Sequence, residues 1–301
     1  MRLRSAIWLP AALAAAVSLH AQPPRDLVVG PKWLADHLRD PDLVVLQVGP
    51  AESYAKGHVP GARHVDLQMI DANQPRDPNR LTLEMPAAAD LRGRLENLGI
   101  SDGSRIVVVE TDEWFSPSTR VVFTLQYAGF GDRVSWLDGG LAGWVAAGYQ
   151  TSTAAAPATR GRITRAAVPG LIVDHAFVGE LGAPRPGVRL IDGRAPVFFA
   201  GPGQTMNDHT MKAGHIPGAA NIPFNTLVGD HERLRSRDEL AGIFRAAGVQ
   251  PGDTVVAYCH VGQQATLVLF AARLLGHPVR LYDGSMDDWE RRGHPTVGGT
   301  P

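Results

Sequence analysis

The sequence predicts an α/β fold built twice, each copy a parallel sheet flanked by helices on both faces. Three observations carry this. Short β-branched apolar runs at 44–48, 106–109 and 255–258 suit strands buried on both faces. Stretches with helical spacing alternate with such runs, which is the α/β signature. The same landmarks then recur, in order, in the second half of the chain.

Taken from the start, residues 1–21 read as a secretory signal peptide. Arg2 and Arg4 supply positive charge, 6–19 is apolar apart from Ser18, and Leu19-His20-Ala21 ends in a small residue. Cleavage is expected after Ala21, which implies a periplasmic or secreted protein with no membrane attachment once processed. Interrupted by Pro10, the run is short for a retained anchor.

Two halves follow. Gly57-His58-Val59-Pro60-Gly61-Ala62 recurs as Gly214-His215-Ile216-Pro217-Gly218-Ala219. Trp136-Leu137-Asp138-Gly139-Gly140 recurs as Leu281-Tyr282-Asp283-Gly284-Ser285, and Trp144 recurs as Trp289. The offsets stay between 145 and 157 residues, a period of whole domains rather than of a solenoid. The expected division is a first domain at 26–150, a linker at 151–168 and a second domain at 169–298. The linker is rich in Ala, Thr, Ser and Arg and reads as an exposed connection.

Composition limits the function. The 301 residues carry a formal net charge of -1, with 44% hydrophobic and 20% charged residues. Such balance argues against nucleic acid or an anionic membrane as the main partner. A single cysteine excludes an intramolecular disulfide and any cysteine-rich metal cluster.

That cysteine, Cys259, stands at the end of the strand predicted at 254–258. After it come His260-Val261-Gly262-Gln263-Gln264-Ala265 and a helix at 266–275, with Leu267, Phe270, Ala271, Leu274 and Leu275 on one face. Gly276 and His277-Pro278 stop the helix. Ligands of open α/β sheets bind beyond the carboxyl ends of the strands. A tight loop feeding a helix aims backbone N–H groups into one cradle, and a sulfur there sits in a positive field. Gly262 lets the chain turn. The residues therefore read as a nucleophilic thiolate or an anion site; a buried structural cysteine is the plainer alternative.

The motifs Asp192-Gly193-Arg194, Gly214-His215-Ile216-Pro217-Gly218-Ala219, Cys259-His260-Val261-Gly262-Gln263-Gln264-Ala265 and Tyr282-Asp283-Gly284-Ser285 with Trp289 together resemble the tandem-domain rhodaneses. These are sulfurtransferases of the thiosulfate and 3-mercaptopyruvate type. The resemblance spans about residues 27–297. It implies two rhodanese-like domains, the second catalytic and the first not. It also implies a Cys259 persulfide formed from a small anionic sulfur donor and discharged to cyanide or a thiol, with neither cofactor nor metal. Arg194 would reach the donor, and His260, Val261, Gly262, Gln263 and Gln264 would line it. Counting back from the helix ends at Phe130 and His277, Asp112 falls opposite Cys259 and Gly49 opposite Arg194, so the first half lacks both groups. His58, His215, Asp138 and Asp283 occur in both halves and read as structural.

One departure bears on the donor. Thiosulfate-type relatives place basic residues after the cysteine and mercaptopyruvate-type relatives small ones, whereas this loop offers amides and His260, which could add charge below about pH 6.5. Thiosulfate suits an exported enzyme better. A phosphatase would need an arginine six residues after the cysteine, where Ala265 stands. A persulfide carrier serving a partner protein remains an alternative. His209, His215 and His231 match no familiar metal spacing, Gly201-Pro202-Gly203 is a turn, and a monomer is expected.

Overall fold

A computed structural model describes residues 27–298 apart from 75, 112–115, 158, 184, 202–203, 207–208, 212 and 230–232, and leaves aside the side chains of 204–206 and 209–211. Asp112, Pro202, Gly203, His231 and the His209 side chain, all weighed above, lie outside this set.

In the first half the chain runs β1 (Val28–Val29), α1 (Pro31–His37), β2 (Leu43–Val48), α2 (Ala51–Lys56), β3 (Arg63–Val65) and α3 (Ala88–Asn97). It continues through β4 (Arg105–Glu110), α4 (Ser116–Leu125), β5 (Val134–Leu137) and α5 (Gly140–Ala146). The strands form one parallel sheet in the order β1-β5-β4-β2-β3.

The second half repeats this with β6 (Ile172–Val173), α6 (His175–Gly179), β7 (Val188–Asp192), α7 (Pro196–Phe199), β8 (Gln204–Met206), β9 (His209–Met211) and β10 (Ala220–Asn221). Then come α8 (Arg237–Ala246), β11 (Thr254–Tyr258), α9 (Ala265–Leu274), β12 (Val279–Tyr282) and α10 (Ser285–Arg291). Its parallel sheet has the matching order β6-β12-β11-β7-β10. The antiparallel hairpin β8–β9 has no forerunner among the described residues of the first half.

Central strands explain themselves. β4 and β11 have neighbours on both sides, so their backbone groups are paired, and their β-branched side chains fill the layers above and below. α4 and α9 pack on each other where the halves meet, and nearly every residue of both is buried. A helix apolar all round can only be stable in such a place. α9 (ATLVLFAARL) is of that kind. One hydrophobic core therefore runs through both halves, and Trp136 meets Phe270 edge-on with centroids 5.9 Å apart. Such a pair adds about 0.5–1.5 kcal/mol beyond its buried area.

The linker is largely exposed and is also tied along the first half. Ser152 forms a two-way backbone bridge with His58, Gly161 N–H donates to the Glu96 carbonyl, and Ile163 is buried. Arg165 donates to the Asp102 and Gly129 carbonyls. Polar composition concealed this because most of the anchoring is through backbone.

Candidate active site

β11 delivers Cys259 to the carboxyl edge of the second sheet, between β7 and β12. The peptide on each side of the cysteine is held. Cys259 N–H donates to Ser285 Oγ at 3.1 Å, and Met286 N–H donates to the Cys259 carbonyl at 3.1 Å. Asp287 N–H donates to the His260 carbonyl at the same distance. The start of α10 thus grips the start of the loop. Cys259 itself is 1% exposed and its thiol is free.

Gly262 turns the loop with φ +76°. A Cβ there would lie 2.6 Å from the Asp283 carbonyl oxygen, so only glycine fits. Ser285 also has positive φ, +53°, and is fully buried. Its first-half counterpart is Gly140 with φ +54°. A non-glycine residue there carries strain; its hydroxyl holds Cys259 N–H and donates to the Tyr282 carbonyl at 2.9 Å.

Arg194 follows β7, beside the cysteine strand, and is 1% exposed. Nε and Nη2 donate to Asp192 at 2.6–3.1 Å, and Nη2 also donates to the Gly214 carbonyl at 2.7 Å. Burial opposes its charge, but Asp192 outweighs it and holds the guanidinium above its ordinary pKa. Most of this arginine is spent on the second half's own frame. Nη1 alone has no hydrogen-bond partner among the described residues.

His260 corrects an expectation. It lies edge-on to Phe198, with centroids 4.7 Å apart, and burial together with the Arg194 charge lowers its pKa to about 3. It is neutral at physiological pH and adds no charge to the loop. Gln263 is redirected too: Nε2 donates to Ser116 Oγ of α4 at 2.8 Å, across the boundary between the halves. Gln264 Oε1 is buried with no partner among the described residues. Val261 and Gln263 line an open pocket of about 240 Å³ shared with Gln68, Asp71, Arg76 and Leu83 of the first half.

The histidines of the repeated motif are tied to backbone. His58 bonds to the carbonyls of Tyr54 and Ala154, and His215 to that of Phe199, each stacked on an aromatic ring. The repeated aspartates diverge. Asp138 meets Arg233 at the surface, 3.6 Å away, whereas buried Asp283 accepts from Arg120 and from Met85 N–H of the first half.

Strand register corrects the counterpart of Cys259. Val108 pairs with Trp136 as Ala257 pairs with Leu281. Two residues on, buried Glu110 stands opposite Cys259, in place of Asp112. The same register keeps Gly49 opposite Arg194. The conclusion about the first half is unchanged, since a carboxylate cannot carry a persulfide.

Arg120 was missed by sequence reasoning. This fully buried residue of α4 donates to the Gly262 carbonyl in the cysteine loop at 3.1 Å. Its partners lie 142 and 163 residues away, so no local pattern marks it.

A model of the rhodanese-like domain matches residues 30–147 and again 179–292. The chain belongs to the rhodanese-like family. The chain is 30% identical to the 3-mercaptopyruvate sulfurtransferase of Escherichia coli over 283 residues, 88% of this chain and 95% of that one. Identity to the thiosulfate sulfurtransferase of Pseudomonas aeruginosa is 31% over 267 residues, 87% and 93% of the two chains. Among solved structures, SseA from Escherichia coli superposes with a TM-score of 0.73 at 28% identity, covering 86% of this chain and 98% of that one. YnjE, at 23% identity and TM-score 0.79, covers 91% and 69% and shares the fold. The chain is accordingly a sulfurtransferase.

Proposed function

We propose that the chain moves a sulfane sulfur from thiosulfate to cyanide or a thiol through a persulfide on Cys259. The observation that carries this is the placement of the sole cysteine: at the end of a central strand in the second rhodanese-like repeat, its peptide fixed on both sides, where a helix begins. The Cys259 thiolate attacks the outer sulfur of the donor. The Sγ–S bond forms as the donor's S–S bond breaks, and sulfite leaves with the electron pair. The acceptor then attacks the terminal sulfur, and the thiolate returns. Ping-pong kinetics follow. Loop amides stabilise the anionic persulfide, and Arg194 Nη1 is the group that meets the donor's charge.

3-Mercaptopyruvate is the alternative donor, since relatives of both names align over most of the chain. The test is thiocyanate formation from cyanide with each donor, wild type beside Cys259→Ser. Turnover that needs the cysteine supports the reading, and the donor ratio fixes its type. No turnover in folded protein refutes it. A carrier role is the second reading, because the chain is 28% identical over 279 residues to the sulfur carrier protein TtuD of Thermus thermophilus. A persulfide that forms but never discharges to small acceptors would favour it.

We also propose export by the 1–21 segment, supported by its charge and apolar pattern, with N-terminal sequencing of the secreted protein as its test. No helix among the described residues is long and apolar enough to cross a membrane. One chain supplies both walls of the pocket, which favours a monomer; sedimentation would check it.

A further inference from the structure

The first half lacks the cysteine, yet it reaches the cysteine loop with one face of a helix. Ser116, Thr119 and Arg120 stand at i, i+3 and i+4 on α4. Ser116 Oγ accepts from Gln263, Thr119 Oγ1 bonds Thr266 Oγ1 at 3.0 Å, and Arg120 Nη1 donates to the Gly262 carbonyl. The same guanidinium donates to Asp283 Oδ1 at 2.5 Å and to the Leu83 carbonyl at 2.6 Å. Three segments therefore converge on one fully buried cation: the loop around Leu83, the cysteine loop and the turn after β12.

A cradle of N–H groups requires the intervening carbonyls to face away from the anion. A buried carbonyl turned away needs its own donor. At Gly262 that donor is Arg120, at 3.1 Å. Without the guanidinium, the 262 peptide is free to flip and would aim a carbonyl dipole at the sulfur. A buried ion pair is weak evidence of stabilisation alone, which leaves geometry as its use here. We infer that Arg120 is a positioning residue for sulfur transfer: the first domain holds the cysteine loop of the second in its anion-binding form.

This inference rests on the Cys259 persulfide reading, and the test separates the two. Persulfide formation is followed in single turnover with saturating thiosulfate for wild type, Arg120→Gln and Arg120→Lys. Backbone hydrogen exchange of 260–264 is followed in the same proteins. The glutamine variant is expected to react about 100-fold more slowly, the cost of a misplaced reacting group, with donor KM changed less than about threefold. The loop amides exchange faster, and lysine recovers part of the rate. Arg291→Ala serves as control: it removes a different contact between the halves, Arg291 Nη1 to the Asn79 carbonyl at 3.1 Å, and keeps the wild-type rate. A folded Arg120→Gln with the wild-type rate, or with unchanged exchange in 260–264, overturns the inference. If glutamine prevents folding, a lysine variant with the wild-type rate overturns it equally. Wild type that takes up no sulfur refutes the persulfide reading, and the exchange arm then decides the role of Arg120 by itself.

Discussion

Ser285 sets stability against geometry within one residue. Its φ of +53° lies in the left-handed region, where a side chain costs about 1–2 kcal/mol relative to glycine. Its hydroxyl satisfies the buried Cys259 N–H, and losing that partner costs about 1–3 kcal/mol. Ser285→Ala keeps the strain and loses the bond. Ser285→Gly loses the bond but relieves the strain, less the extra chain entropy of glycine, about 0.4–1 kcal/mol. The glycine variant should therefore be more stable than the alanine variant by about 1 kcal/mol, a Tm difference of about 1.5–2 °C for a chain of this size. Both should transfer sulfur more slowly than wild type, by about tenfold or more, because the cysteine is no longer held. Calorimetry and thiocyanate formation read the two effects. An alanine variant as stable as the glycine variant would refute the strain argument. An alanine variant with full activity would refute the role given to the bond.

Other substitutions have equally definite outcomes. The pKa of His260 is lowered to about 3, so the unfolded chain binds its proton first and stability falls as pH drops from about 6.5 towards 3. Above that window the residue is silent; between pH 7 and 4 wild type should lose on the order of 1–3 kcal/mol more than His260→Gln in urea titrations. Arg194→Met leaves Asp192 buried without its partner and should cost about 3–5 kcal/mol in the same assay; a neutral result would mean that Asp192 finds another donor. Gly262→Ala forces a Cβ against the Asp283 carbonyl oxygen and should cost at least about 1–2 kcal/mol together with most of the activity. An active, stable alanine variant would show that the loop can turn another way.

Much of this was legible in the sequence for local reasons. The runs at 44–48, 106–109 and 255–258 fall within β2, β4 and β11, because buried parallel strands are written as continuous apolar runs. Cys259 stood out by its position between a strand and a helix. The short helices α1, α2 and α5 carried little periodic signal over 6–7 residues. Counting from helix ends misplaced the counterpart of Cys259. Glu110 to Gly129 is two residues longer than Cys259 to Gly276, although both glycines end their helices with φ near +90°. Arg120 was invisible because its meaning lies in contacts between the halves, and Ser285 because strain is a property of backbone angles. The neutrality of His260 required its burial and the nearby Arg194, neither of which a motif records.

The persulfide itself is the most direct test. Intact-protein mass spectrometry after incubation with thiosulfate should show wild type heavier by one sulfur atom. Peptide mapping should place that atom on Cys259, and cyanide should remove it with release of one thiocyanate per chain. Cys259→Ser should stay unmodified. A wild-type protein that turns over donor without ever carrying the sulfur, or a serine variant that still transfers it, would contradict the account.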